Sequence, residues 1–264
     1  WAPPPGRLKQ FSNLPYLFSL GAGVPHIPFD PEAPLSVPIV RLQDDMLVQD
    51  MCCHILHWVL HFHRHYHRYK LYEADRTWLR HKYPENGERR VAVLGLGQTG
   101  RAACERQSAL GFDVIGWSQS AKDIPGVRCY HGDEMLTEVL SQAEILVNLL
   151  PLTPATSNLI NTATLAAMPD GAFFINCGRG GTVVDADLLA ALDSDKIEAA
   201  ALDVFREEPL PEDDPYWSHP SVSVTPHAAA PSNERSAARF IATQMRIAMD
   251  GGRPAPIMEL VKGY

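Results

Sequence analysis

The sequence predicts an α/β protein with a doubly wound parallel sheet and a second domain beside it. Three observations carry that prediction. After the turn-rich Tyr83-Pro-Glu-Asn-Gly87, short apolar strands alternate with helical stretches, the pattern of strand–helix–strand units. The strand Val91-Ala-Val-Leu94 runs straight into Gly95, Gly97 and Gly100, which open an alanine-rich helix containing Ala102, Ala103 and Leu110. A chain of 264 residues is long enough for about two domains, each with its own core.

Read in order, the first thirty-eight residues are rich in Pro and Gly, with short apolar pieces at 16–20 and 39–42 that read as strands between turns. From 46 to 72 there is no Pro or Gly, and Met51, Ile55, Trp58, Val59 and Phe62 recur at helical spacing, which predicts one long helix. Strands are predicted at 90–94, 113–117, 145–149, 172–176, 199–204 and 222–225, with helices between most of them. A last helix over 233–249 stops at Gly251-Gly252, and a Pro-containing tail is expected to return to the first domain. The boundaries drawn on this reading are a dinucleotide-binding domain over 86–225 and a second domain formed by 1–85 with 226–264.

The glycine turn fixes the ligand class. Gly95 allows a tight turn, Gly97 removes a side chain where a pyrophosphate must approach, and Gly100 lets the helix pack closely on the strand. The N–H groups of the helix's first turn, at Gln98 and Thr99, then face an anion. A formal net charge of −8 argues against a surface that tracks nucleic acid. The five cysteines show no metal-type spacing, and their odd number suits free thiols in a reducing compartment, so the cytoplasm is expected. No apolar run approaches the ~18 residues that span a bilayer, and no membrane partner is expected. A first residue that is not Met leads to the expectation that the sequence begins inside a longer protein.

Past the later strands come Asn-Cys-Gly-Arg179-Gly-Gly, then Leu-Asp-Val-Phe-Arg-Glu-Glu208-Pro, then Ser-Val-Thr-Pro-His227-Ala-Ala-Ala. With Leu20-Gly-Ala-Gly-Val24, Leu-Leu-Pro before Thr153 and Glu-Pro-Leu-Pro, these motifs resemble the D-isomer-specific 2-hydroxyacid dehydrogenases, nearest to their glyoxylate/hydroxypyruvate reductase A type. The resemblance implies a Rossmann nucleotide domain and a flavodoxin-like substrate domain that is N-terminally incomplete here, since relatives carry a further strand–helix stretch ahead of it. It implies that Arg179 holds the carboxylate and carbonyl oxygen of a 2-keto acid, a task suited to a planar guanidinium. His227 would protonate the ketone oxygen, with Glu208 orienting it and stabilising its protonated form. Backbone N–H groups at Ala22 and Gly23 would receive the substrate carboxylate. Asp203 resembles the residue that holds the nicotinamide carboxamide. Leu150, Pro151, Cys177, Gly178 and Ala229 complete the cofactor contacts that the resemblance implies, Cys177 as a packing residue and not a nucleophile.

An NAD-preferring site places an acid about twenty residues past the glycines to hold the ribose hydroxyls. Here Ser118-Gln119-Ser120-Ala-Lys122 stands there, without an acid at Ser118 and with two hydroxyls and Lys122 nearby. NADPH is therefore the expected cofactor, with NADH possible. His54, His57 and His61 fall on one helical face but lack a partner motif, so no metal is expected and the helix is read as packing and homodimer contact. Two alternatives stay open from sequence: the same chemistry on a phosphoglycerate-like or bulkier acid, and a dinucleotide-sensing interaction protein.

Overall fold

In the computed structural model, which describes residues 6–11, 13–19 and 36–258, the predicted alternation becomes a seven-stranded, all-parallel sheet. Its strands are β3 (Arg90–Leu94), β4 (Asp113–Ser118), β5 (Arg128–His131), β6 (Ile145–Asn148), β7 (Ala172–Asn176), β8 (Ile197–Leu202) and β9 (Val222–Val224). Their spatial order is β5-β4-β3-β6-β7-β8-β9, so the direction of winding reverses between β3 and β6. In such sheets the reversal is where a ligand crevice forms. The central strands are mostly apolar because both faces are covered, and Leu94, Ile145, Leu146, Phe173 and Phe174 are fully buried.

One face packs on α4 (Leu136–Leu140), α5 (Thr162–Ala167) and α6 (Asp185–Asp193) through Val139, Leu165, Leu188 and Leu192. Phe173 points to the opposite face, where its ring stacks on Phe62 at 4.9 Å and 7°. Phe62 lies near the end of α1 (Asp45–His63), whose Ile55, Val59 and Phe62 are buried as the helical spacing required. α3 (Gln98–Ala109) follows the glycine turn.

Compact packing divides the chain into two units. One holds Asp50–Leu150 and Pro154–Ala230; the other is the described part of Trp1–Gln49, Pro151–Thr153 and Pro231–Tyr264. The division at 49 falls within α1, and the Phe62–Phe173 stack ties the later part of that helix to the sheet. In the smaller unit β1 (Leu17–Phe18) pairs in parallel with β2 (Ile39–Val40). The C-terminal tail does return to it: Met258 N donates to Ile39 O at 2.8 Å, and Met258 packs against Ile39. α7 (Glu234–Met249) is capped by Asn233, whose side chain accepts from Arg235 N and Ser236 N, and it ends at Gly251 with φ 80°.

Two expectations are corrected. The single long helix over 46–72 is two helices, α1 and α2 (Tyr66–Ala74), separated by His65 in the left-handed region at φ 56°. No Pro or Gly marks this break. It is fixed by tertiary partners, with Arg64 over the Tyr83 ring at 4.1 Å and both His67 and Arg68 bonded to Glu198 on β8. The second is an omission: β5 was not predicted, because Arg-Cys-Tyr-His at a sheet edge is half exposed and has no apolar run.

The helix pair predicts acid sensitivity. Burial, with the neighbouring His67 and His57, holds His61 at about 4. Burial outweighs the attraction of Glu198 and also holds His65 at about 4. The unfolded chain takes these protons near 6.5, so this stability is fully present above about pH 6.5 and is lost as the pH falls towards 4. Glu198 adds to the loss only at the acid end of that window, below its ordinary 4.5. Burial raises its carboxyl, but the hydrogen bonds and charges of His67 and Arg68 prevail and hold it at about 2. The expected result is a urea midpoint that is flat above neutrality and declines between about pH 6.5 and 4, less steeply in His61→Gln. A midpoint that stays constant through that window would contradict the assignment.

Candidate functional site

The glycine turn is built as its spacing requires. Gly95 has φ +99°, and a Cβ there would press on the Leu149 carbonyl at 3.0 Å. A Cβ on Gly100 would lie 1.9 Å from the Gly95 carbonyl oxygen, so the first turn of α3 can close on the loop only without a side chain. Gly97, the N-cap of α3, differs: a Cβ there would meet no atom within 4 Å. The protein itself therefore needs Gly95 and Gly100, whereas bareness at Gly97 suits the close approach of a pyrophosphate to the start of a helix. Gln98 and Thr99 form that first turn. The arrangement fits a dinucleotide.

At the end of β4, Ser118 is buried and its hydroxyl donates to the Ser120 carbonyl at 2.8 Å, which folds the following turn. Gln119, Ser120 and Lys122 are exposed. Ser118 thus shapes the turn, and the groups open to a ribose phosphate are Gln119, Ser120 and Lys122.

Arg179 follows β7 between two glycines that admit no side chain. A Cβ on Gly178 would sit 2.6 Å from the Leu150 carbonyl oxygen, and one on Gly180 would sit 1.9 Å from the Phe205 carbonyl carbon. The Arg179 loop is thereby wedged between the segments that follow β6 and β8. The guanidinium donates to the Gly178 carbonyl at 2.6 Å. Burial lowers its pKa, and the Glu208 carboxylate acts in the opposite direction. A guanidinium starting from such a high value stays charged.

Glu208 accepts from Phe205 N through Oε1 at 2.9 Å and meets His227 Nδ1 through Oε2 at 2.7 Å. An ionised carboxylate only accepts, so Nδ1 carries the hydrogen and Nε2 is left to bind or release a proton. The side chains of His227 and Glu208 are 38 % and 35 % exposed, which keeps the pair within reach of a small molecule. His227 has φ 50°, and its N–H donates to Asp203 O at 2.9 Å. The Asp203 carboxylate, 1 % exposed, accepts from Thr225 Oγ1 at 2.6 Å, Ala228 N at 2.8 Å and Ala229 N at 3.0 Å. Asp203 therefore clamps the Thr-Pro-His-Ala-Ala loop. Arg179, Glu208, His227, Asp203 and Ala229 are brought together within one unit.

Cys177 is buried, and burial followed by the Asp203 charge pushes its thiol far up, which suits packing and not nucleophilic attack. Leu150 is buried and its N–H donates to Asn148 Oδ1 at 3.2 Å, whereas Pro151 falls in the other unit. Ala22 and Gly23 lie outside the described residues.

Sequence reasoning missed a buried polar network under this site. Asn148 Nδ2 donates to Asn176 Oδ1 at 3.0 Å and to Thr182 Oγ1 at 2.8 Å, and Thr182 Oγ1 donates to the Arg179 carbonyl at 2.6 Å. Asn176 Oδ1 also accepts from Gly178 N at 3.2 Å. All three side chains are at most 1 % exposed. The available signal was two apolar strands, Ile-Leu-Val-Asn and Phe-Phe-Ile-Asn, that each end in a polar residue.

Residues 56–229 match the family described as D-isomer specific 2-hydroxyacid dehydrogenase, NAD binding domain. The glyoxylate/hydroxypyruvate reductase A of Serratia proteamaculans (strain 568) is 36% identical over 269 residues, spanning 100% of this chain and 86% of that protein. Among solved structures, a D-isomer specific 2-hydroxyacid dehydrogenase from Xanthobacter autotrophicus Py2, in complex with NADPH and MES, superposes with a TM-score of 0.96 at 40% identity and covers 100% of this chain and 84% of its own. An NADPH-dependent glyoxylate/hydroxypyruvate reductase from Sinorhizobium meliloti, in complex with NADP and sulfate, gives 0.91 at 36% identity over 95% of this chain and 80% of its own. Among the described residues no helix is long and apolar enough to cross a membrane.

Proposed function

The chain belongs to the D-isomer specific 2-hydroxyacid dehydrogenases, and from that premise we propose that it reduces a short 2-keto acid, glyoxylate or hydroxypyruvate, to the 2-hydroxy acid, of D configuration where the product has a stereocentre. The observation that carries this reading is the His227 Nδ1–Glu208 Oε2 bond of 2.7 Å beside a half-buried Arg179, which leaves Nε2 as the proton donor. NADPH, when bound, supplies the hydride. Arg179 pairs with the substrate carboxylate and draws on the carbonyl oxygen, polarising the carbon that accepts the hydride. His227 Nε2 gives its proton to that oxygen, and Glu208 balances the imidazolium before transfer. Asp203 holds the His227 loop through Oδ1 and also offers Oδ2, which accepts only from Ala229, to the nicotinamide carboxamide. Ala22 and Gly23 are proposed to receive the substrate carboxylate. The test is NADPH consumption with a panel of glyoxylate, hydroxypyruvate, pyruvate and a phosphorylated 2-keto acid.

The preference for NADPH is supported by the absence of an acid at Ser118, by exposed Lys122, and by the NADPH and NADP held in the Xanthobacter and Sinorhizobium proteins. Lys122→Asp is expected to weaken NADPH by on the order of tenfold, the worth of one charge-assisted hydrogen bond, while NADH affinity holds. Equal weakening of both would remove Lys122 from the phosphate site.

A homodimer and a cytoplasmic location belong to the same proposal. The dimer is supported by α2, which buries none of its residues, and by Trp78 at 92% exposure near exposed Tyr66, Leu71 and Leu79. A solution mass of two chains is its check.

A further inference from the structure

His54, His57 and His61, the histidines on one helical face where no metal is expected, are not the ones the fold gathers around a carboxylate. The break at His65 turns α2 so that His65, His67 and Glu198 each present one donor atom, all within 4.8 Å of one another. Glu198 comes from β8, 131 residues from His67 in the chain. We propose that these three residues form a binding site for a borderline divalent transition metal, of which Zn²⁺ is the representative.

The donor chemistry selects that class. Two imidazoles and one carboxylate are a common protein donor set for zinc and its neighbours, with water completing the shell, whereas Mg²⁺ and Ca²⁺ want oxygen alone. His67 Nε2 lies 2.6 Å from Glu198 Oε1, so the carboxylate orients this ring through one nitrogen. Its other nitrogen, Nδ1, is buried without a partner, and so is His65 Nδ1. A metal here would take the place of the hydrogen between His67 Nε2 and the Glu198 carboxylate, because a carboxylate bonded to one ring nitrogen cannot reach a metal held on the other. Glu198 Oε1 also accepts from Arg68 Nε at 2.8 Å, while Oε2 accepts no hydrogen bond and is left for a cation.

The charges around the pocket sharpen the choice. Arg68 neutralises Glu198, Arg89 acts on His65, and His61 and His81 lie close, with ring centroids 6.2 Å from His67 and 5.4 Å from His65. A cation held by charge alone would not enter. One held by imidazole lone pairs can. The break between α1 and α2 falls at His65, whose backbone is left-handed at φ 56°. Bound metal would pin the start of α2 to β8.

The test uses the full chain without a histidine tag, stripped with a chelator and titrated with ZnCl₂ against a chromogenic chelator. CoCl₂ titration reports the coordination geometry. The wild type is expected to take one Zn²⁺ per chain, to melt at a higher temperature with Zn²⁺, and to give the intense visible bands of a four-coordinate nitrogen and oxygen site with Co²⁺. His65→Asn, which tolerates the left-handed backbone, and Glu198→Gln should each lose at least tenfold in Zn²⁺ affinity. His131→Asn, at an exposed histidine on β5, should lose nothing. Zn²⁺ uptake that is equal in all four proteins, or weak octahedral Co²⁺ bands in the wild type, would overturn the site. The cobalt spectrum needs no variant and decides the matter even if one of them fails to fold.

Discussion

His227→Ala is expected to lower kcat by about 10²- to 10⁴-fold, the usual range for loss of a positioned acid, while NADPH affinity stays unchanged. The affinity half of this expectation follows from the geometry. His227 is held by Glu208 through Nδ1 and by Asp203 through its N–H, and neither contact involves the glycine turn at Gly95, Gly97 and Gly100. Replacing the ring leaves the backbone N–H of residue 227 and the three donors on the Asp203 carboxylate in place. The loop therefore keeps its shape and only the proton donor is lost. Stopped-flow binding and steady-state turnover separate the two quantities. Turnover equal to the wild type would remove His227 from the chemistry, and a parallel loss of NADPH binding would show that it supports the cofactor instead.

Gly180→Ala is expected to destabilise the fold by about 3 kcal/mol and to lower kcat/KM by at least ~10²-fold. The new Cβ would stand 1.9 Å from the Phe205 carbonyl carbon, 2.1 Å from its oxygen and 2.3 Å from Arg206 N. These are backbone atoms and cannot rotate away, so the loop carrying Arg179 must separate from the segment carrying Glu208. A shift of about 1 Å at a reacting group is enough for a loss of that size. Gly97→Ala provides the contrast. With no atom within 4 Å of the added methyl, stability should be close to the wild type while NADPH binding weakens sharply. Urea midpoints and titrations of NADPH fluorescence read both variants. A Gly180→Ala protein as stable and active as the wild type would show that the close approach to Phe205 is not a requirement.

What could be read from the sequence follows from which residues act through local rules. The strands β3, β6 and β7 were legible because a strand buried on both faces is largely an apolar run, and the turn at Gly95–Gly100 because Gly95 and Gly100 each have a steric reason and Gly97 leaves room for a ligand. Arg179, Glu208 and His227 were legible by resemblance, and the Nδ1–Oε2 bond supplies the geometry that a motif lacks. The features that escaped depend on partners far along the chain. His65 adopts its backbone because Glu198 holds the next helix, and nothing within the histidine-rich stretch encodes that. Asn148 and Asn176 look like strand ends until Thr182 is found to join them beneath Arg179. Asp203 was read as a cofactor contact, but its carboxylate is also the anchor of the His227 loop, a role visible only once Ala228 and Ala229 fold back onto it.

The most direct measurement is absorbance decay of NADPH on adding glyoxylate or hydroxypyruvate to the wild type and to Arg179→Ala, with the hydroxy acid product quantified. One 2-hydroxy acid formed per NADPH consumed by the wild type, of D configuration from hydroxypyruvate, and little by the variant, is the predicted result. NADPH that binds but is not consumed with any 2-keto acid would contradict the account and leave a dinucleotide sensor in its place.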